Sequence, residues 1–174
     1  IQRLGGDELA LAPVALLVHS AGVFAQGPLA SAPVEDLDRQ YAVNVRAPYL
    51  LTQLLLPKLR QSRGQIVFIN STAGLAARAQ VSQYAASKHA LKALADSLRD
   101  EVNADGVRVL TVYPGRTASP LQAAVHELEG RAYHPELLMQ PEDVAEMVVS
   151  ALRLPRTAEV TDIHVRPARK LPAP

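Results

Sequence analysis

The amino-acid sequence predicts an α/β domain with a parallel sheet. Two observations carry that expectation. Short, continuously apolar, β-branched runs alternate with longer segments of helical periodicity. Polar residues also cluster just after the apolar runs, where open α/β sheets bind their ligands.

The elements follow in order. "VALLV" (Val14 to Val18) reads as a strand buried on both faces and ends in "HSAG". A Pro-containing link leads to a helical segment from about Glu35 to Arg60, where Tyr41, Val45, Leu50, Leu54 and Leu55 recur at helical spacing. "QIVFIN" (Gln65 to Asn70) is β-branched and aromatic, a second buried strand that leaves the sheet through "STAG". The next helix runs to about Asp105, with Gly106 as its stop. "VRVLTV" (Val107 to Val112) is a third strand, closed by Pro114-Gly115. Arg116 to Gln140 is polar with weaker periodicity. "PEDVAEMVVSALRL" (Pro141 to Leu154) has proline at its first helical position and acids in its first turn. "EVTDIHV" (Glu159 to Val165) reads as the last strand, and "RPARKLPAP" as a solvated end.

The bulk numbers narrow the function classes. The chain has 174 residues, enough for one domain with a real core, and it is expected to be a single unit, 1–174. A net charge of +1 gives no footprint for nucleic acid or an anionic membrane. The absence of cysteine excludes a disulfide scaffold and thiolate zinc sites, and fits a reducing, cytoplasmic setting. No apolar run approaches the roughly 18 residues of a membrane span, and no secretory signal is expected. The first residue is Ile1 rather than Met, which reads as a fragment or a processed product.

The chemistry centres on "QYAASKHALKAL" (Gln83 to Leu94). Tyr84 and Lys88 are four residues apart, hence side by side on one helix face. A phenol beside a cation is a proton donor whose pKa can be drawn down from about 10. Taken singly, each candidate has a plainer reading: a surface Tyr, a solvated Lys, a turn serine at 71, an ordinary helix-interior Asn44, capping roles for Thr117 and Ser119. Chain order nevertheless brings the "HSAG" turn, Ser71, the Tyr84 helix and Pro114 to Ser119 to one edge of the sheet, which the plainer readings do not foresee. His89 lies about 100° around the helix from Lys88 and is expected to be a packing residue. The remaining histidines have no metal-ligand spacing, so no metal site is expected.

Five motifs in order resemble a short-chain dehydrogenase/reductase. "YAASK" resembles the family's Y-x-x-x-K; "INSTAG" its serine strand end, with Ser71 thirteen positions before Tyr84; "NVRAP" the segment carrying its asparagine, Asn44. "HSAG" is similar to its N-N-A-G turn, with His19 and Ser20 in place of both asparagines, and "YPGRTAS" to its P-G-x-x-x-T loop, with Ser119 in place of the threonine. The resemblance covers about Val14 to Val165 and implies a Rossmann-like, doubly wound parallel sheet, here N-terminally truncated to the catalytic half.

It also implies the site. Asn44, Ser71, Tyr84 and Lys88 take the catalytic positions; Ser20, Ala21, Gly22, Tyr84, Lys88, Pro114, Gly115, Thr117 and Ser119 the cofactor-binding ones. Tyr84 acts as general acid or base. Lys88 lowers the phenol pKa and holds the cofactor ribose, Ser71 donates to the carbonyl oxygen, and Asn44 holds a water that relays protons to Lys88. The implied cofactor is NAD or NADP, the substrate a small carbonyl or alcohol, and the assembly a homo-oligomer, dimer or tetramer. The family's N-terminal strand and glycine-rich phosphate turn have no counterpart here, since Gly5-Gly6 has no strand before it. A non-catalytic relative (a sensor, a scaffold or a remnant) is therefore the alternative. An epimerase or dehydratase of the extended branch fits "HSAG" and "YPGRTAS" less well. The segment from about Leu121 to Leu138 is expected to cover the substrate as a mobile lid.

Overall fold

The structure is a computed structural model, and it describes residues 13–169. Four parallel strands pair in the order β1-β2-β3-β4: β1 (Leu16–His19), β2 (Gln65–Ile69), β3 (Arg108–Pro114) and β4 (Asp162–Val165). Register runs through Leu17↔Ile66, Ile66↔Val109 and Thr111↔Asp162, so all four carboxyl ends lie on one edge. Helices connect the strands: α1 (Val34–Tyr41), α2 (Ala47–Ser62), α3 (Ser82–Val102), α4 (Pro120–Leu128) and α5 (Pro141–Leu152).

The period-2 alternation of the strands sorts their side chains into two cores. Ile66, Phe68 and Val109 pack with Leu55 and Leu59 of α2 and Leu91, Ala95 and Val102 of α3. Val67, Leu110 and Val112 face the other way, onto Val144 and Val148 of α5 and onto Met139. That is helix, sheet, helix, the layering the alternation of elements predicts. Helix ends follow from local chemistry. Ser119 caps α4 through the Gln122 N–H, Pro120 sits in its first turn, and Gly106 takes φ +74° after α3.

Three expectations change. β1 is not buried on both faces: it is an edge strand of the described sheet, and Leu16 and Val18 are each 45% exposed. The helix expected over 35–60 is broken by a wider π-helical turn, Ala42–Arg46, centred on Asn44. Such turns insert one residue into the helical ladder and often mark functional sites. The 116–140 stretch is more ordered than its periodicity suggests, because α4 and a parallel bridge from Thr117 to Met139 structure it.

Candidate active site

The site forms where the β2 end meets the start of α3. Ser71 follows β2 in extended backbone and its Oγ accepts the Ala73 N–H at 3.1 Å, which turns the chain sharply. Gly74 allows the turn to touch α3, since a Cβ there would stand 2.9 Å from the Lys88 carbonyl oxygen. Asn70 Nδ2 donates to that same oxygen at 3.1 Å. The strand end and the helix are thus tied at Lys88 itself.

On this seam the Ser71 hydroxyl lies near enough to the Tyr84 phenol to favour its ionised form. The Lys88 Nζ lies 5.7 Å from the Tyr84 ring centroid and donates to the Ile69 carbonyl at 3.4 Å. Burial pushes the Tyr84 phenol above its ordinary value, and the nearby Ser71 hydroxyl pulls it partly back. Burial also pushes Lys88 down to about 8. The expectation that Lys88 draws the phenol down is therefore corrected: desolvation sets the direction of the Tyr84 shift, and it lowers the Lys88 ammonium as well. At neutral pH the phenol keeps its proton.

Asn44 stands behind this pair, fully buried. Its Oδ1 accepts the Val23 N–H at 2.9 Å, and its Nδ2 donates to the Val23 carbonyl at 3.0 Å and to Ser87 Oγ at 3.0 Å. Ser87 Oγ in turn donates to the Tyr84 carbonyl at 2.8 Å. The amide is thus committed to holding Val23 and Ser87 in place. One turn away on both helices a second rung repeats the pattern. Gln40 Oε1 accepts the Ala25 N–H at 3.1 Å and its Nε2 reaches Gln83 Oε1 at 3.4 Å, while Gln83 Nε2 donates to the Pro33 carbonyl at 2.9 Å. Sequence reasoning missed Gln40, Gln83, Ser87 and Phe24. The available signal was the i,i+4 spacing of Gln40 with Asn44 and of Gln83 with Ser87.

The other candidates border the same edge. Ser20, Ala21 and Gly22 are exposed after β1, and a Cβ on Gly22 would lie 3.5 Å from Asn44 Oδ1 and 3.6 Å from Lys88 Nζ. Pro114 ends β3, and Gly115 donates its N–H to the Val165 carbonyl at 2.8 Å. Thr117 donates to the Gly115 carbonyl at 3.2 Å and Ser119 caps α4, so both serve the loop's own structure. The site suits a polyhydroxylated ligand. Among the described residues Lys88 Nζ makes one long hydrogen bond with its three donors, and it faces the side-chain-free surface of Gly22. Among those residues no group of three His, Asp or Glu gathers to hold a metal.

The histidines differ from expectation in one case. His89 is exposed and bonds the Ala85 carbonyl at 2.8 Å rather than packing in the core, because its helix face is turned outward. His19 is buried, stacked on Phe68 with centroids 4.8 Å apart, and bonded to Thr52 Oγ1 at 2.8 Å. Burial pushes it down to about 4.

Known proteins resemble this chain in sequence and in fold. The sequence matches the family model described as short chain dehydrogenase over residues 8–130. It is 42% identical over 107 residues to an NADPH-dependent 3-dehydrocapnine reductase of Ornithobacterium rhinotracheale, across 59% of this chain and 38% of that protein. It is 35% identical over 152 residues to a sepiapterin reductase of Chlorobaculum tepidum, across 87% of this chain and 60% of that one. The chain thus spans less than two thirds of either relative. A solved alcohol dehydrogenase of the archaeon Thermococcus sibiricus, complexed with 5-hydroxy-NADP, superposes with a TM-score of 0.81 over 94% of this chain and 67% of its own, at 21% identity. At that identity the likeness concerns the fold.

Proposed function

The chain belongs to the short-chain dehydrogenase family, and from that premise we propose that it is the catalytic half of an NAD(P)-dependent oxidoreductase interconverting a small carbonyl compound and its alcohol. One observation carries the reading: the Tyr84 phenol meets the Ser71 side chain beside the Lys88 ammonium, at the carboxyl ends of parallel strands.

The nicotinamide, when bound, supplies or accepts the hydride. Lys88 and the Ser20-Ala21-Gly22 turn are the groups that would hold its ribose side, and the Pro114, Gly115, Thr117 and Ser119 loop its nicotinamide side. Ser71 orients the substrate oxygen by donating a hydrogen bond that strengthens as negative charge grows there. Tyr84 gives its proton to that oxygen in reduction and takes one back in oxidation. A phenol that stays protonated at neutral pH suits the reductive direction. Lys88 stabilises the phenolate left behind, an interaction stronger in the closed site than in water. Asn44 holds the first turn of α3 and the loop after β1 in register, and its main chain is the place for a relay water.

Tyr41, Tyr49 and Leu54 leave apolar surface exposed on α1 and α2, which supports a homo-oligomer of the full protein. No described helix is long and apolar enough to cross a membrane. We retain the cytoplasmic setting and the single-domain organisation as parts of this proposal. A screen of the full-length protein with ketones, aldehydes and both reduced nicotinamides tests the assignment. Turnover that disappears with Tyr84→Phe supports it. No turnover with any pair, from folded protein that binds cofactor, favours the non-catalytic reading instead.

A further inference from the structure

Phe24 is the one aromatic side chain that the loop after β1 places against Tyr84. Its ring meets the Tyr84 ring edge-on, with centroids 4.9 Å apart and planes at 69°. The residues on either side are fixed by different amides. Asn44 holds Val23 through both its N–H and its carbonyl, and Gln40 holds the Ala25 N–H. Asn44 and Gln40 are in turn joined to α3 by Ser87 and Gln83, and those residues flank Tyr84 on its own helix. Phe24 is therefore bracketed by two buried polar rungs that share a frame with the phenol it touches. A loop needing only to connect β1 to α1 requires neither rung, and buried amides are retained at a cost unless each is satisfied.

We propose that Phe24 is a positioning and specificity-determining residue: bracketed by Asn44 and Gln40, it sets the direction of the Tyr84 ring and forms an aromatic wall on one side of the carbonyl site. This rests on the reading of Tyr84 as proton donor. The groups facing the phenol are the Ser71 hydroxyl from the β2 end, the Phe24 ring from the loop, and Lys88 from α3 itself. Phe24 is the apolar member, so it covers the ring without changing the local charge. A rigid wall beside the proton donor favours carbonyl compounds that are slim on that side, and its removal admits bulk.

The experiment uses tetranitromethane on the full-length protein, with nitration of each tyrosine followed by peptide mass spectrometry. Phe24→Ala is expected to raise the Tyr84 nitration rate roughly fivefold or more, as a hydrophobic wall one side chain deep is removed. The protein supplies its own references. Tyr41 and Tyr49 do not touch Phe24 and should react at their wild-type rates in the variant, whether free or covered by a second subunit, and Tyr113 is fully buried and should stay protected if the fold is intact. If Tyr113 opens in Phe24→Ala, the same comparison is read in Phe24→Leu, which keeps most of the apolar volume. Tyr84 nitration at the wild-type rate in the variant that keeps Tyr113 protected overturns the proposal. Kinetics give a second readout that a purely structural role would not move. The ratio of kcat/KM for a bulky ketone to that for a small one should rise about tenfold in Phe24→Ala; an unchanged ratio also counts against the wall. If Tyr84→Phe turns over undiminished, the proton-donor reading fails, while the nitration rates still decide whether Phe24 covers the ring.

Discussion

The Asn44 side chain closes on Val23 from both sides, accepting its N–H at 2.9 Å and donating to its carbonyl at 3.0 Å. One amide thus stands in for a neighbouring strand, and its remaining donor hydrogen goes to Ser87. Asn44→Ala leaves the part-buried N–H and carbonyl of Val23 without their partner, while Ser87 keeps its bond to the Tyr84 carbonyl. The expected loss is about 3 kcal/mol of folding stability, read by urea denaturation. A loss under about 0.5 kcal/mol, ordinary for a surface change, contradicts the clamp.

Gly74 is required by proximity rather than by φ. An added Cβ would come within 2.7 Å of Asn70 Oδ1 and 2.9 Å of the Lys88 carbonyl oxygen. The second of these is backbone inside α3 and cannot rotate away. Gly74→Ala should cost about 1 to 3 kcal/mol and displace Lys88, lowering affinity for nicotinamide cofactor in the full-length protein. A thermal melt within a degree of wild type argues that the turn and helix are not in contact as described.

Lys88 is held at a cost to stability. Its proton leaves the unfolded chain near 10.5 but the folded one near 8. Between those values the unfolded state binds more protons, so wild-type stability should climb as pH rises from about 8 toward 10.5. Lys88→Met removes the buried charge. It should be more stable at pH 7, by up to about 3 kcal/mol, and should lack the alkaline climb. A Met variant less stable than wild type at pH 7 indicates that the ammonium is paired rather than merely buried.

His19 gives the corresponding acid limb. Its folded value near 4 lies below the ordinary 6.5, so stability should fall as pH drops from 6.5 to 4, where the unfolded chain takes up a proton first. His19→Gln, which keeps a polar group near Thr52, should flatten that limb, worth on the order of 2 kcal/mol at pH 4. Equal acid slopes in the two proteins place the acid sensitivity elsewhere.

The proposed constellation of Ser71, Tyr84 and Lys88 is legible in the sequence because its signals are local. Tyr84 and Lys88 are tied by helical spacing, and Ser71 follows a strand that reads as one from its β-branched run. The strands and α3 followed the same logic, as did Gly106 as the αL stop. What escaped depends on partners far apart in the chain. The π-helical turn at Asn44 answers to Val23, twenty-one residues away. Gln40 looks like a solvated polar residue until Ala25 and Gln83 reach it. The direction of the Tyr84 shift likewise depends on how deeply the phenol is buried, which the i,i+4 spacing to Lys88 does not encode.

In the proposed reaction Tyr84 moves the proton. The most direct measurement is kcat of full-length wild type and Tyr84→Phe on one turned-over ketone, with nicotinamide affinity measured on both. The expected result is a loss on the order of a thousandfold in kcat with cofactor affinity within about twofold, since the phenol oxygen is removed while Lys88 and the Gly22 turn remain. Undiminished kcat in Tyr84→Phe contradicts it.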